Sequence, residues 1–567
     1  RCSFDMLGEA SRNQSQSDNY LEAYLEAINS ISQINQTQNL TNGISIKLSA
    51  LYSKYDALHH REVKKFLLPR VKDLILEASS KDVAVTIDAE EQDRLALSLE
   101  LFQDLALDPS LKSWPKLGLA VQAYGKRSLE VIEYLNDLTR HRDRMHVRLV
   151  KGAYWDYEIK NAQVKGLSGY PVFTNKQLTD LNYLVTAKKL IASPNIDASF
   201  ATHNAHSIAA IMSLGLDETN EIEFQRLYGM GELLYLACQD TYSNFYNTSV
   251  YCPIGKHKEL LPYLVRRLLE NGANSSFINQ YLDPGVPKSK LSINPAKSII
   301  EKIDHMNISN LPLPSELYLP RQNSKGTDLS EVESIENIMS KISESSEPIL
   351  EVSVISQLDI EALDSVNAIS KCNQSIIGKS HFSNPDSITN SMIKPSLDWA
   401  SSSIDSRTKL LNDVADAIEA QKSQFLYLLI HEAGKTLQDA NDELREAVDF
   451  MRYYAEQATT LHSKATQRGT TGEDNILEYY PKGLVACISP WNFPLAITMG
   501  QIAAALVTGN TVLAKPSEHT SLIGYKAISL FFDHGLPPNA LHFLPGDGKL
   551  GQAIISSQHI DLVVFTG

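Results

Sequence analysis

Two adjacent arginines, Arg266 and Arg267, stand in an otherwise apolar segment whose spacing predicts a helix over residues 263–272. Guanidinium groups bind carboxylates through paired hydrogen bonds, so two of them could hold the carboxylate of an amino acid. Glu270 follows at helical spacing and could instead form an ordinary surface ion pair with either arginine. The segment alone favours the ion pair, and a carboxylate clamp depends on which residues lie beside it.

Polar residues also gather where several apolar, strand-like runs end. The four clusters are Asp88 with residues 89–91, Gln122 with residues 123–124, Lys151 with residues 152–154, and His203 with Asn204. A single cluster is as easily a strand end that meets solvent, but four of them favour the rim of a parallel barrel, where barrel enzymes place their chemistry. The predicted arginine helix follows the last of these strands and could lie over the same rim, together with Lys47 and Arg148.

A second group of candidate residues lies near the end of the chain. Asn492 stands in a turn between a predicted strand and a predicted helix, where an amide donor is suited to stabilising a developing oxyanion. Lys515 and Glu518 follow the next strand and could bind ribose hydroxyl groups. Taken singly, each is more simply explained as loop structure, because Asn, Glu and the neighbouring prolines also begin helices and turns.

The elements that must position the first group are strands that alternate with helices. Strands are predicted at residues 2–7, 44–51, 83–88, 117–122, 146–150, 199–202, 223–227 and 249–253, with helical periodicity between most of them, as in 62–78 and 127–139. This repeated alternation predicts an α/β fold in which eight strands close into a (β/α)8 TIM-like barrel rather than an open sheet.

The rest of the chain has a different organisation. Residues 285–400 are rich in Ser, Asn, Ile and Pro, which predicts a linker with one isolated strand at 349–355. The helical spacing of 405–462 predicts two helices. Beyond residue 476, strands at 484–489, 511–515, 540–544 and 562–565 alternate with helices at 497–507, 522–532 and 550–556. This pattern predicts the beginning of a doubly wound nucleotide-binding sheet.

The composition excludes several classes of protein. The 567 residues carry a net charge of −15 and no strongly basic run, so we expect no nucleic-acid binding by this chain. No apolar run reaches the length of about 18 residues that indicates a membrane-spanning helix. The 5 cysteines lie far apart without metal-ligand spacing, which predicts no metal site and fits a reducing cytoplasm. The chain starts without Met and stops directly after a predicted strand, which is typical of a fragment cut at both ends.

Residues 4–10, 87–91, 148–156, 200–204 and 266–271 closely resemble the proline dehydrogenase domain of the bifunctional flavoenzymes of the proline utilization A family. The resemblance runs nearly continuously from residue 1 to about residue 320. It implies a distorted barrel that binds FAD at its rim, oxidises L-proline to 1-pyrroline-5-carboxylate and passes the electrons to a membrane quinone. It also implies that the full-length protein is a cytoplasmic homo-oligomer with peripheral contact to the inner membrane.

The same resemblance implies roles for individual residues. Arg266 and Arg267 would hold the proline carboxylate, and Asp5 would support them. The substrate pocket would also contain Lys47, Asp88, Tyr154, Leu227 and Tyr251. The residues expected to bind FAD are Asp88, Ala89, Gln122, Arg148, Lys151, Gly152, Ala153, Tyr154, Trp155, Thr174, His203, Asn204 and Glu270. Arg148 and Lys151 suit this role because their charge would stabilise the negative charge of a reduced flavin.

Residues 395–567, including 431–436, resemble the NAD-binding half of the aldehyde dehydrogenase superfamily. In the proline utilization A family this module oxidises glutamate semialdehyde to L-glutamate. The resemblance implies that Asn492 is the catalytic oxyanion donor and that NAD contacts Ile488, Ser489, Pro490, Trp491, Lys515 and Glu518. The catalytic Cys and the general-base Glu of this family lie downstream of Gly567, so we expect this chain to oxidise proline without forming NADH from the semialdehyde.

The expected domains are the proline dehydrogenase FAD barrel at 1–285, the linker at 286–395, and a partial aldehyde dehydrogenase domain of the Rossmann type at 396–567. Two features of the last domain invite other interpretations. Residues 546–551 form a G-x-G-x-x-G sequence, but the resemblance places the pyrophosphate loop at the stretch that opens with residues 565–567. Cys487 could be read as a nucleophile, but a cysteine within an apolar strand is usually a core residue.

Two alternatives remain open from the sequence. One is an unrelated flavin-barrel oxidase fused to a vestigial NAD-binding fold, which specificity for proline over other amino acids would distinguish. The other is a proline-responsive transcriptional repressor or scaffold that acts through a missing N-terminal domain. The acidic charge of this chain argues against direct contact with DNA.

Overall fold

The structure is a computed structural model of the chain, and it describes residues 1–6, 8–214, 222–242, 245, 247–255, 260–261, 263–265, 283–285, 287, 293–300, 311–345, 350–390, 393–463 and 465–567. These residues form two compact units. The first comprises Arg1–Ala162, Gly169–Pro312 and Leu329–Val332, and the second comprises Gln163–Ser168, Leu313–Asp328 and Glu333–Gly567. Within the described ranges, no helix is both long and apolar enough to cross a membrane.

Eight parallel strands close into a barrel in the first unit. They are β1 (Cys2–Met6), β2 (Gly43–Ile46), β3 (Ala84–Ile87), β4 (Leu117–Gln122), β5 (Met145–Val150), β6 (Ile196–Ala201), β7 (Ile222–Leu227) and β8 (Thr248–Ile254). Each strand pairs with its neighbour in sequence, and β1 also pairs with β8, from Cys2 opposite Val250 to Met6 opposite Ile254. This last pairing closes the ring, and it confirms the predicted fold class.

Helices connect the strands of the barrel, and one more helix follows the last strand. They are α1 (Gln14–Gln38), α2 (Leu48–Leu51), α3 (His60–Glu62), α4 (Leu68–Ser80), α5 (Leu95–Leu107), α6 (Ser128–Leu138), α7 (Trp155–Val164), α8 (Lys176–Ile191), α9 (Ala205–Leu214), α10 (Glu232–Thr241) and α11 (Pro295–Ile300). Strands and helices share one core, in which Tyr24, Phe102, Tyr183 and Phe200 are fully buried. Burying one large apolar side chain stabilises the fold by about 1.5–3 kcal/mol, so this core holds the barrel rim in place.

The second strand is shorter than the sequence predicted. β2 ends at Ile46, whereas the prediction extended over 44–51. Leu48–Leu51 forms a helical turn whose four side chains are buried. A short apolar run does not distinguish a buried strand from a buried helical turn. At Lys47 the backbone N–H donates to the hydroxyl of Tyr24 at 3.1 Å, so the chain has already left the sheet at that residue.

The region predicted as a linker contains a small sheet. Strands β9 (Leu350–Val352), β10 (Ala362–Ile369) and β11 (Ile376–Ser383) lie in the order β10–β11–β9, so the strand predicted as isolated at 349–355 is paired with β11. The prediction missed β10 and β11. Most side chains of β10 are exposed, so its sequence has no apolar periodicity to reveal it. The helices of this region are α12 (Val332–Glu344), α13 (Pro385–Asn390) and α14 (Leu397–Ala400).

Three helices follow where two were predicted. They are α15 (Ile404–Ala420), α16 (Lys422–His431) and α17 (Leu437–Leu461). The break before α17 contains Gly434, with a φ of 75°, and Thr436, whose side chain accepts a hydrogen bond from the Asp439 N–H at 3.2 Å. Glycine after a helix and threonine before one are common stop and start signals. The sequence therefore contained the evidence for this break.

A parallel sheet ends the second unit. After the hairpin of β12 (Ala465–Gln467) and β13 (Asn475–Leu477), the strands are β14 (Leu484–Ile488), β15 (Thr511–Lys515), β16 (Leu541–Phe543) and β17 (Leu562–Phe565). The connecting helices are α18 (Ala496–Val507), α19 (Ser521–Asp533) and α20 (Gly548–Ser556). The order β16–β15–β14–β17 reverses direction between β14 and β17. Ligands of open α/β sheets bind at the carboxyl ends of the strands at such a switch point.

Candidate active sites

Lys47 is the centre of a buried ion cluster at the carboxyl ends of the first three barrel strands. Its Nζ lies 2.7 Å from Asp5 Oδ1 and 3.1 Å from Asp88 Oδ2. All three residues are buried, and Lys47 is only 6% exposed. The cluster forms because β1, β2 and β3 are neighbours in the barrel, which brings their ends together.

The charges of this cluster stabilise one another. Burial alone would lower the pKa of the Lys47 ammonium, but Asp5, Tyr251 and Asp88 raise it well above its ordinary range. Burial would raise the pKa of Asp88, but Lys47 and Arg148 hold it below its ordinary value. Burial raises the pKa of Asp5, although Lys47 opposes the shift. At neutral pH Lys47 and Asp88 are therefore both charged.

Arg148, on β5, extends the cluster across the interior of the barrel. One guanidinium nitrogen donates to Asp88 Oδ1 at 2.9 Å and to Ser45 Oγ at 3.0 Å, and the other donates to Ser3 Oγ at 2.8 Å. The guanidinium carbon lies 5.1 Å from the ring centroid of Tyr251, whose hydroxyl donates to Asp88 Oδ2 at 2.8 Å. The Arg148 Nε is buried and has no hydrogen-bond partner in the described part of the chain. One rigidly held donor thus remains for a ligand.

The turn after β5 is packed closely against the end of β4. Gly152 has a φ of 141°, and a Cβ at this position would lie 2.4 Å from the ring of Tyr124, so only glycine fits. The Ala153 N–H donates to Gln122 Oε1 at 3.2 Å, and Gln122 Nε2 donates to the carbonyl of Glu90 at 2.7 Å. Lys151 Nζ forms an ion pair of 2.5 Å with Asp180. A large ligand could therefore approach the backbone of this turn closely.

Other predicted residues lie around the same rim. His203 Nε2 accepts a hydrogen bond of 3.0 Å from the N–H of Leu227, at the end of β7. Asn204 Oδ1 accepts from the N–H of His206 at 2.9 Å and so caps α9. Trp155 Nε1 donates to the carbonyl of Phe173 at 2.9 Å. The remaining predicted residues of the rim, all partly buried, are Ala89, Tyr154 and Thr174.

The predicted carboxylate clamp lies outside the described residues. Arg266, Arg267 and Glu270 all fall in the range 266–282, which the structure does not describe. Their proposed roles stay predictions.

Several residues of the cluster were missed from the sequence although a signal existed. Polar residues stand two apart on several barrel strands, and four of these pairs include Asp5, Lys47, Asp88 or Arg148. The pairs are Ser3 and Asp5, Ser45 and Lys47, Thr86 and Asp88, and His146 and Arg148. Side chains two apart on a strand point to the same face. This alternation marks strands whose polar side chains face the interior of the barrel.

In the second unit, the ends of β14 and β17 are tied together. Gln501, on α18, donates through Nε2 to the carbonyl of Ile488 at 3.2 Å and to Thr566 Oγ1 at 3.1 Å. The Thr566 N–H also donates to the Ile488 carbonyl, at 3.3 Å, and Ser489 Oγ lies 2.6 Å from Thr498 Oγ1. Asn492 lies in the exposed turn that follows, with Pro490 and Trp491. These predicted residues therefore converge on the switch point of the sheet.

Lys515 ends the neighbouring strand β15 and is 5% exposed. Its Nζ donates to the carbonyl of Pro516 at 3.2 Å and lies 4.0 Å from Glu518 Oε2. Burial lowers the pKa of Lys515, and Glu518 and Asp547 only partly offset this. An ammonium with such loose partners is suited to hydrogen bonds with ligand hydroxyl groups.

The two misleading features of this unit have structural explanations. Asp547 Oδ1 accepts from the N–H groups of Lys549 at 2.9 Å and Leu550 at 3.4 Å, so residues 546–551 are the capped start of α20. Cys487 is buried in β14, and burial raises the pKa of its thiol to about 12. A thiol of this kind is not ionised at neutral pH, which confirms the interpretation of Cys487 as a core residue.

Comparison with known proteins finds two family models that each match a part of the chain. Residues 1–280 match the model of the Proline dehydrogenase family, and residues 361–567 match the model of the Aldehyde dehydrogenase family. The whole chain is 40% identical to the Bifunctional protein PutA of Klebsiella aerogenes and to that of Escherichia coli strain K12, and it covers 44% of each. The chain thus spans less than half the length of these curated relatives.

Further relatives agree with this assignment. A 1-pyrroline-5-carboxylate dehydrogenase of Anoxybacillus flavithermus is 38% identical over 170 residues, which are 30% of the chain and 33% of that protein. A mutant structure of proline utilization A from Bradyrhizobium japonicum covers the whole chain with a TM-score of 0.86 at 40% identity, over 56% of its own length. Proline utilization A from Bdellovibrio bacteriovorus, inactivated by N-propargylglycine, gives a TM-score of 0.88 at 28% identity, over 60% of its length.

Proposed function

Because residues 1–280 belong to the proline dehydrogenase family and residues 361–567 to the aldehyde dehydrogenase family, we propose that the chain is part of a bifunctional enzyme of proline catabolism. The barrel oxidises L-proline to 1-pyrroline-5-carboxylate with FAD. The whole protein also oxidises glutamate semialdehyde, the hydrolysed form of that product, to L-glutamate with NAD. The observation that carries the proposal is the 40% identity to bifunctional PutA proteins along the entire chain.

The barrel rim has features that FAD requires. Arg148 offers a buried nitrogen without a hydrogen-bond partner among the described residues, and Gly152 provides backbone that a Cβ would obstruct. When bound, FAD supplies the acceptor for the electrons of proline. Arg148 and Lys151 provide positive charge that favours the reduced, more negative cofactor. The proposed FAD contacts are Asp88, Ala89, Gln122, Arg148, Lys151, Gly152, Ala153, Tyr154, Trp155, Thr174, His203, Asn204 and Glu270.

The charge balance of the rim supports the clamp for the substrate carboxylate. Lys47 and Arg148 are paired with Asp5 and Asp88, so two cations face two carboxylates and the cluster is close to neutral. It has no unpaired cation to offer an incoming carboxylate. Arg266 and Arg267 supply the missing positive charge in this proposal. The other substrate contacts are Asp5, Lys47, Asp88, Tyr154, Leu227 and Tyr251.

Reconstitution with FAD tests the proline half of the proposal. Proline should bleach the flavin and reduce a dye, and other amino acids should not. Arg266→Met should raise the KM for proline about tenfold or more, because a hydrogen bond to a charged group is worth about 1.5–3 kcal/mol. Bound FAD should stay nearly unchanged in this variant.

Arg144→Met is a matched control, since Arg144 pairs with Asp197 at the amino-terminal ends of β5 and β6. Its KM for proline should equal that of the parent. An unchanged KM in Arg266→Met would remove the clamp from the proposal. A flavin that proline does not reduce would refute proline oxidation altogether.

For the second unit we propose that the switch point binds NAD. Two observations support this: Gln501 has a buried Oε1 without a hydrogen-bond partner in the described ranges, and Lys515 ends β15 with only loose partners. When bound, NAD supplies the hydride acceptor for the aldehyde. Asn492 donates to the developing oxyanion, and Ile488, Ser489, Pro490, Trp491, Lys515 and Glu518 contact NAD. Titration of the chain with NAD in a calorimeter tests this assignment, and a titration without heat of binding would refute it.

We also propose that the full-length protein delivers electrons to a membrane quinone as a peripheral cytoplasmic homo-oligomer. The support is the resemblance to the proline utilization A family. Co-sedimentation of the reduced protein with quinone-containing vesicles, and light scattering of the full-length protein, test these two points. We place the domain boundaries at residues 285 and 395. None of the comparisons points to the transcriptional alternative.

A further inference from the structure

Glu443 is a buried carboxylate that is not part of the proposed NAD site, and its position suggests a separate role. It lies on α17, and its side chain is fully buried, with 0% exposed. Its Oε1 accepts hydrogen bonds from the N–H of Leu495 at 2.8 Å and of Ala496 at 3.2 Å. These N–H groups open α18, and the first N–H groups of a helix have no partner within it. Glu443 therefore caps α18 from a different helix.

Lys435 completes this arrangement. Its Nζ lies 2.8 Å from Glu443 Oε2, so the buried carboxylate has a cation beside its second oxygen. The same Nζ lies 4.2 Å from the ring centroid of Phe493, at a distance where a cation and an aromatic face attract each other. Phe493 directly follows Asn492, and its carbonyl accepts the Ile497 N–H at 3.2 Å in the first turn of α18.

The pair thus holds the turn of residues 490–494 from two directions. Glu443 fixes the place where α18 starts, immediately after the turn. Lys435 fixes the aromatic ring inside the turn, next to the predicted oxyanion donor. Neither residue lies in the turn itself, because Glu443 lies on α17 and Lys435 lies in the break before α17.

We propose that Lys435 and Glu443 are a positioning pair that fixes the turn of residues 490–494 and thereby presents Trp491 and Asn492 to NAD and the aldehyde. The inference rests on the proposed function of the second unit. Lys435 and Glu443 act through the turn and do not themselves touch the ligand. Their loss should disturb the turn even before any ligand is added.

Hydrogen exchange of the whole chain, followed by mass spectrometry, tests the first part. In Glu443→Leu and in Lys435→Met, the amides of Leu495 and Ala496 should exchange about fivefold faster, the change expected from losing a helix cap worth about 1 kcal/mol. Leu444→Ala is the matched control, because Leu444 is the next residue of α17 and is also fully buried. It should lower stability without accelerating these two amides selectively.

Binding of NAD, followed through quenching of tryptophan fluorescence, tests the second part. Affinity should fall about fivefold or more in Glu443→Leu and Lys435→Met, and stay close to that of the parent in Leu444→Ala. Lys435→Arg keeps a cation over Phe493. Its exchange rates at Leu495 and Ala496 and its affinity for NAD should therefore be close to those of the parent. If Glu443→Leu does not fold, Lys435→Met and Lys435→Arg decide the question.

Each outcome separates the inference from the proposed function. Unchanged exchange at Leu495 and Ala496 in both variants would overturn the positioning pair. Faster exchange with unchanged NAD affinity would overturn it too, because the position of the turn would then have no effect on NAD binding. A parent chain that binds no NAD would refute the proposed NAD site, and the exchange measurements alone would then decide whether the pair fixes the turn.

Discussion

Replacing Asp88 by asparagine should destabilise the barrel strongly, because it removes the one carboxylate that pairs with Arg148 among the described residues. The Arg148 side chain is only 3% exposed, so it cannot recover its solvation from water. Breaking a buried ion pair by removing one partner costs about 3–5 kcal/mol. Lys47 keeps its 2.7 Å partner Asp5 and adds less to the loss. The side-chain NH2 group of the new asparagine would also face either Lys47 or Arg148, which are both cations.

Thermal unfolding of the protein without FAD, followed by circular dichroism, measures this effect without a contribution from FAD binding. For a domain of this size, 1 kcal/mol shifts the midpoint by about 2–4 °C. Asp88→Asn should therefore lower the midpoint by roughly 6–20 °C. Proline turnover, measured at a temperature where the variant is folded, should fall as well, because Asp88 also orients Tyr251.

Asp197→Asn is the matched control, since Asp197 pairs with Arg144 at a site where both side chains are about two-fifths exposed. Exposed pairs contribute about 0–1 kcal/mol, so its midpoint should drop by only a few degrees. Adding Arg148→Met to Asp88→Asn should recover part of the loss, because it removes the unpaired cation. Equal midpoints for Asp88→Asn and Asp197→Asn would refute the reasoning that burial makes the pair of Arg148 and Asp88 costly to break.

Three further predictions follow from other sites. Gly152→Ala should weaken FAD binding about tenfold or more in a fluorescence titration, because a side chain at its φ of 141° costs about 1–3 kcal/mol. Burial raises the pKa of Glu432 from its ordinary 4.5 to about 8, so its stabilising contribution is complete below pH 4.5 and is lost as pH rises towards 8. Urea unfolding of Glu432→Gln should therefore show a decline in stability between pH 5 and 8 that is about 3–4 kcal/mol smaller than that of the parent. Lys515→Met should weaken NAD binding about tenfold in calorimetry, because a buried charged donor is lost.

Each of these predictions has a clear contrary result. Gly169→Ala, where a Cβ would meet no atom within 4 Å, should bind FAD like the parent, and equal affinity in Gly152→Ala would contradict the close packing of the turn. A pH profile of Glu432→Gln that parallels the parent would show that Glu432 titrates normally. Lys409→Met changes an exposed lysine on α15, and an equal effect of this variant and Lys515→Met would remove the specific role of Lys515.

The sequence predicted the barrel well because each strand is a short apolar run that ends in polar residues. Asp88, Gln122 and Lys151 mark three of these ends, and all three side chains lie at the rim. The predicted end of the second strand at residue 51 was wrong, because the apolar helical turn that follows Ile46 has the same composition as a strand. Local pattern therefore located the elements and their order, but it did not separate two buried conformations of similar residues.

Contacts between distant residues were the part that could not be predicted. Nothing near Glu443 in sequence shows that its carboxylate caps a helix 52 residues later. The strands β10 and β11 were also missed, since the side chains that would reveal β10 are exposed. The ion cluster was partly visible, because polar residues alternate along β1, β2, β3 and β5. Its members Ser3 and Ser45 have small hydroxyl groups, and only the fold shows that they hold Arg148.

The pairing of β1 with β8 links the assembly of the active site to the last step of barrel formation. Asp5 lies on β1, and β1 is held on one side by residues 250–254, which are synthesised long after it. Joining segments so distant in sequence requires closing a very long loop, which is slow compared with local folding. An emerging polypeptide that stops before β8 would leave Asp5 on an open sheet edge beside Lys47. Closure of the barrel around the cluster of Asp5, Lys47 and Asp88 should therefore be a late step, which follows the synthesis of residues 250–254.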